Sequence, residues 1–139
     1  MAIDRKHIGF SLPPFTVFID REQLRRFVEA IGGSTDLAFA PPTFKKVIEG
    51  ANGSSRAIVS ALDIDLRRVM HAEQEFKYDA QIRCGDHVTV ERRVIDIYDR
   101  KDGAFEFVVI ESTMHNRDGV RIGRSTQRIL VRNHVPGSA

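Results

Sequence analysis

The spacing of apolar positions along this chain changes between helical and strand periods, and each change marks a new element. "FTVFID" (residues 15–20) reads as a short strand that ends at a helix start. Asp20 can accept from the free N–H groups of a first turn, and Gln23 stands three residues on, where a capping box wants it. Leu24, Phe27, Val28 and Ile31 then keep the i, i+3, i+4, i+7 spacing of one buried stripe, which Gly32-Gly33 ends with left-handed backbone. Pro41-Pro42 forbids helix before it and predicts a second helix beginning near Thr43, with Phe44, Val47 and Ile48 facing the core. "GANGSS" (50–55) breaks that helix after about two turns, and "RAIVSAL" predicts another turn or two before "DID" leads into a sheet.

From Val69 onward the period becomes two. Met70, Ala72, Gln74, Phe76 and Tyr78 fall on one face, and His71, Glu73, Glu75 and Lys77 on the other. "CGD" (84–86) predicts a turn. Residues 87–98 form a long strand whose apolar phase moves from Val90 and Val94 to Ile95 and Ile97, the mark of a bulge. "RKDGA" and "NRDGV" each put Asp-Gly between β-rich runs, a hairpin signal, and join residues 87–98 to 105–116 and those to 120–132. The run "FEFVVIESTM" is apolar on both faces near its centre, as an inner strand requires. The expected fold class is α+β: a curved antiparallel sheet wrapped around a central helix, the helix being the one after Pro41-Pro42.

Totals narrow the function classes. A chain of 139 residues is expected to form a single domain, 1–139, with its core over about 7–132 and a loose tail at 133–139. Charged residues at 29% and hydrophobic ones at 42% suit a soluble globular protein. A net charge of +2 is too small to argue for nucleic acid. No apolar run approaches the roughly 20 residues that cross a bilayer, and "MAIDRKHIGF" does not read as a secretory leader. Cys84 is the only cysteine, which excludes an intrachain disulfide or a cysteine-built metal site; a reducing cytoplasm is expected, with no metal and no cofactor.

"LPPFTV", "FVEAIGG", "APPTF", "DIDLRRVMHAEQEF" and "CGDHVTV", followed by two Asp-Gly hairpins, resemble the N-terminal MaoC-like dehydratase domain, the non-catalytic half of fungal and mycobacterial hydroxyacyl-thioester dehydratases. The resemblance spans residues 7–132. It implies a hot-dog fold, assembly as a homodimer or as a heterodimer with a catalytic MaoC-like subunit, and an acyl thioester on coenzyme A or acyl carrier protein bound between two units. The implied chemistry is hydration or dehydration of a 3-hydroxyacyl thioester, which needs a base for the α-proton and an acid for the β-hydroxyl. Catalytic members supply these from a Gly-Asp-x-Asn-Pro-x-His segment after the first helix. Here that segment reads "GGSTDLAFA": Gly33 or Ser34 stands near the aspartate's place, Asp36 nearer the asparagine's, Leu37 at the proline's and Phe39 at the histidine's. Phenylalanine carries no proton.

Other candidates remain. His71, with Glu73 two residues on to orient it, is a candidate base, set against a solvated or dimer-facing strand surface. Asp86 is a third catalytic candidate, set against bonding to its own turn. Gln74 shares an apolar face, so its amide is expected to bond backbone or the central helix, or else to touch ligand. The amides at Thr43, Phe44 and Lys45 offer a helix start where a thioester carbonyl can be polarised. Arg124, Arg128 and Arg132 on the last strand, with Arg92 and Arg93 two strands away, are candidates for coenzyme A phosphates or for a solvated outer face. Two readings follow: an acyl-thioester-binding subunit beside a catalytic partner, or a self-sufficient homo-oligomeric hydratase or thioesterase.

Overall fold

A computed structural model describes residues 3–32, 37 and 39–133. The chain runs β1 (Phe15–Phe18), α1 (Arg21–Ala30), α2 (Lys45–Glu49), α3 (Ser54–Ala61), β2 (Val69–Tyr78), β3 (His87–Arg100), β4 (Phe105–His115) and β5 (Arg121–Arg132). The Asp20 carboxylate caps α1 by accepting from the Gln23 amide at 2.9 Å, as the sequence predicts. One antiparallel sheet of five strands runs in the order β1-β3-β4-β5-β2, so β1 and β2 are its edges. The β3–β4 hairpin turns through left-handed Lys101, Asp102 and Gly103. The bulge expected in β3 lies between Val94 and Asp96, where Ile95 is the extra residue and faces outward while Ile97 returns to the core.

The helix packed on this sheet is two short pieces rather than one rod. α2 stops at Gly50, Asn52 and Gly53 adopt left-handed backbone, and α3 restarts at Ser54. The apolar core divides at the same bend. Phe44, just before α2, and Ile48 of α2 pack with Leu24, Val28, Val88, Val90 and Met114. Ile58 and Val59 of α3 pack with Val94, Ile97, Val108, Ile110 and Val131.

Between the two clusters lies a polar layer. Arg92 is 1% exposed on the helix-facing side of β3, not on the outer face where the sequence reading groups it with Arg93. Its guanidinium donates to the hydroxyls of Ser112 (2.9 Å), Ser54 (2.8 Å) and Ser55 (2.8 Å), to Gln127 Oε1 (2.8 Å) and to the Glu49 carbonyl (3.2 Å). The fully buried Glu49 carboxylate accepts from Lys46 Nζ and Gln74 Nε2, both at 3.1 Å, and from the Ser125 hydroxyl. A buried charge is tolerable only when its hydrogen bonds are made, and these bonds bind α2, the bend and α3 to four strands. Burial holds the Arg92 guanidinium below its ordinary pKa, opposed by the nearby Glu49 charge.

β2 departs from the simple alternation. Its register shifts between His71 and Glu73, so Ala72 is an extra residue. His71 therefore lies opposite Ile129 on the helix side, whereas Glu73 lies opposite Arg128 on the outer side. The expected shared face of His71 and Glu73 is corrected by this bulge, which reverses the pleat between them.

The N-terminal segment is tied down by Glu106, itself 1% exposed. Its carboxylate accepts from the Ile3 amide at 3.0 Å, from Arg5 Nη1 at 2.7 Å and from the Asn133 amide group. Burial raises its pKa, but the bonds from Arg5, Asn133 and Ile3 outweigh that and hold it below the usual carboxylate value.

Two outcomes follow. Arg92→Ala leaves buried acceptors on five residues and should cost about 3–5 kcal/mol in urea unfolding. A depressed folded pKa means that Glu106 contributes stability above the unfolded carboxylate pKa, which is lost as pH falls through the folded value. An acid titration of melting temperature should therefore show a steeper fall for the native chain than for Glu106→Gln.

Candidate functional site

The start of α2 and the far end of β2 enclose a recess of about 290 Å³ whose walls include Ala40, Pro42, Lys45, Tyr78, Asp79 and Gln81. Local bonding holds both sides. The chain after α1 is stitched to the segment before β3: Phe39 bridges Arg83, and the Ala40 amide donates to the Ile82 carbonyl at 2.7 Å. Beyond β2, the amides of Asp79 and Ala80 both reach the Ile122 carbonyl, and Arg121 Nε donates to the Asp79 carboxylate at 3.1 Å.

Lys45 is the unusual member. It is 3% exposed, and its ammonium lies 4.5 Å from the centroid of the Tyr78 ring. Its stem passes over Gly123 of β5, where an added Cβ would lie 2.6 Å from Lys45 Cε and 2.4 Å from the Lys77 carbonyl oxygen. Glycine is therefore required there for close approach. Burial pushes the Lys45 ammonium below the ordinary lysine pKa, and the Asp79 charge partly opposes this. The result is a desolvated cation facing an aromatic surface, suited to meeting a carbonyl or anionic oxygen.

The sequence-derived candidates are distributed differently. Thr43 and Phe44 form a 3-10 turn, and α2 proper begins only at Lys45. The Phe44 amide donates to the Pro41 carbonyl at 2.9 Å and the Lys45 amide to the Pro42 carbonyl, so neither N–H is spare. The Phe44 side chain is core, edge-on to Phe27 with ring centroids 5.2 Å apart. Gln74 reaches the central helix as expected, through Glu49, while its Oε1 is buried without a partner among the described residues.

His71, Glu73 and Asp86 do not converge. His71 is exposed at the opposite end of β2, seven residues or roughly 20 Å of strand from Tyr78. Glu73 pairs with Arg128 Nε at 3.1 Å on the outer face. Asp86 accepts from the Arg83 amide at 2.8 Å inside its own turn, beside the β1 edge. Arg124 and Arg128 lie on the outer face of β5, and Arg128 also donates to the Tyr98 hydroxyl at 2.5 Å. Of the segment aligned with the catalytic motif, Gly33, Ser34 and Asp36 lie outside the described residues. Leu37 is buried in the first apolar cluster, and Phe39 is partly exposed with the Arg83 guanidinium 5.7 Å from its ring centroid.

The sequence reading weighs Lys45 only for its amide, Tyr78 only as part of an apolar strand face and Arg92 only as a phosphate-binding or outer-face cation, and does not single out Glu49; the roles of these side chains in the recess and the polar layer are what it misses. The signal was present in spacing. Lys45 and Glu49 sit one residue after Phe44 and Ile48 on the same buried stripe, and Arg92 sits between Val90 and Val94 at strand period two.

A five-stranded antiparallel sheet curved over a bent central helix, with a recess at its edge, is the hot-dog architecture. The sequence matches the family described as FAS1-like, dehydratase domain region, over residues 6–124, and the chain belongs to that family. It is 31% identical over 155 residues to a UPF0336 protein of Thermobifida fusca, covering 98% of each chain. Its fold is similar to the HadBC (3R-hydroxyacyl-ACP dehydratase) complex from Mycobacterium tuberculosis, with a TM-score of 0.72 and 18% identity over 89% of this chain and 96% of that one. The ChsH1-ChsH2 complex from the same organism gives a TM-score of 0.71 and 18% identity over 93% and 92% of the two chains. No helix among the described residues is long and apolar enough to cross a membrane.

Gly123→Ala should overpack this site. Its Cβ has backbone on one side and the Lys45 stem on the other, so a loss of about 1–3 kcal/mol is expected by thermal or urea unfolding.

Proposed function

We propose that this chain is an acyl-thioester-binding subunit that works beside a catalytic MaoC-like partner in hydration or dehydration of 3-hydroxyacyl thioesters. The observation that carries the reading is the segment "GGSTDLAFA". Where catalytic relatives present an aspartate and a histidine five residues apart, this chain has Gly33 or Ser34 and Phe39, and a phenyl ring neither gives nor takes a proton.

Two features support the division of labour. Among the described residues the recess brings Lys45, Tyr78 and Asp79 together with no histidine on its walls, a set suited to holding and polarising a thioester rather than to protonating a leaving hydroxyl through an imidazole. β2 is also a ten-residue edge strand whose outer row of backbone N–H and C=O groups is a ready template for another strand. Met70 and Tyr78 on it are more than half exposed, and pairing along this edge would cover them and bring a second subunit to the recess. The structural relatives HadBC and ChsH1-ChsH2 are likewise complexes of two named subunits. The ligand is a thioester on coenzyme A or acyl carrier protein, and the lone Cys84 suits a cytoplasmic setting.

Mixing with a MaoC-like chain that bears the Asp and His tests this. The expected result is co-purification as a complex and crotonyl-coenzyme A hydration in the mixture, with none from this chain by itself. Robust hydration by the isolated chain would instead favour a self-sufficient homo-oligomer, and rapid release of free coenzyme A would favour a thioesterase.

A further inference from the structure

We propose that the Lys45 ammonium binds the thioester carbonyl oxygen of the acyl ligand, making Lys45 the substrate-positioning group that this subunit contributes. The inference rests on the acyl-thioester reading above and deepens it by naming the contacting atom.

Three observations on independent elements converge on that atom. The side chain is almost wholly buried, yet it forms part of the recess wall, so the little surface it presents faces the cavity. Among the described residues its ammonium meets the face of Tyr78 at 4.5 Å rather than a carboxylate oxygen, which leaves donor capacity directed away from the ring. Gly123 clears the path of its stem, so the fold gives up a side chain on β5 to hold the lysine in this pose. A lysine wanted only for solubility has no need of such clearance, and a lysine wanted only for packing is better replaced by methionine. Retaining a cation in so dry a place costs free energy that a ligand oxygen can return.

The recess has room for the proposed ligand group: about 290 Å³ fits a short acyl head and the thioester. Pro42, Ala40 and Ile82 provide apolar wall for acyl carbons. Asp79 on the same wall is paired with Arg121 at 3.1 Å, and a carbonyl oxygen is the acceptor that a thioester itself brings to the ammonium. A hydrogen bond from a desolvated ammonium would draw electron density toward that oxygen and acidify the α-carbon, ready for a base on the partner.

The test uses the full chain with crotonyl-pantetheine carrying a ¹³C-labelled carbonyl, and with crotonyl-coenzyme A. Binding to the native chain is expected to move the carbonyl resonance downfield. Lys45→Met should abolish that shift and weaken both ligands equally, by about ten- to a hundredfold, without lowering the melting temperature. Lys45→Leu, which also carries no donor, serves as a second variant if methionine disturbs packing, and should likewise lose the shift. Unchanged affinity and an unchanged carbonyl shift in either variant overturn the assignment while leaving the binding reading intact. Loss of affinity for crotonyl-coenzyme A alone also overturns it, since Lys45 would then be a phosphate contact. Absence of binding by the native chain in both arms overturns the thioester reading and the inference with it.

Discussion

The fold depends on how a charged arginine is held between two apolar clusters. Arg92 projects from β3 under the bend between α2 and α3, and its five hydrogen bonds reach the end of α2, the start of α3, β4 and β5. Isolated bonds of this kind contribute modestly, but here each group left unpaired would be buried, so the set is cooperative in its penalty for disruption. The bend follows from the same constraint. A straight helix offers no spare carbonyl beside its own ladder, whereas the left-handed residues Asn52 and Gly53 free the Glu49 carbonyl and bring Ser54 and Ser55 to the guanidinium.

That arrangement fixes the recess. Glu49 is locked by Ser125 and Gln74, so α2, only five residues long, cannot slide along the sheet. Lys45 lies one turn back on the same face and is carried to Gly123 and Tyr78 by the geometry that places Glu49. The polar layer and the candidate site are thus successive turns of one short helix: the first sets the helix against the sheet, and the second presents a cation at the sheet edge. Glu106 performs a related service at the other end, where Ile3, Arg5 and Asn133 converge on a single carboxylate.

Much of this is legible in the sequence. The Asp20 cap, the Gly-rich break at 50–55, the bulge at Ile95 and both Asp-Gly hairpins come from local rules that act over a few residues, and tertiary packing had no reason to override them. What escaped depended on groups far apart in sequence. The bulge at Ala72 has no glycine to announce it, and it alone decides that His71 and Glu73 face opposite ways. The sequence reading groups Arg92 with Arg93 as a candidate for coenzyme A phosphates or a solvated outer face, although Val90 and Val94 on either side put it inward; Ser112, Ser54, Ser55 and Gln127 make that position tolerable, and no single window contains them. Lys45 and Glu49 were hidden for the same reason. A charge on a buried stripe looks like an interruption until its partners are known.

The account joins a binding surface on this chain to proton transfer on another, and one structure of a ternary assembly would test that division most directly. The assembly is this chain, a MaoC-like partner and a 3-hydroxyacyl thioester. The account predicts that the groups within hydrogen-bond reach of the α- and β-carbons belong to the partner, with this chain's recess around the thioester. An ionisable pair from this chain straddling those two carbons would contradict it.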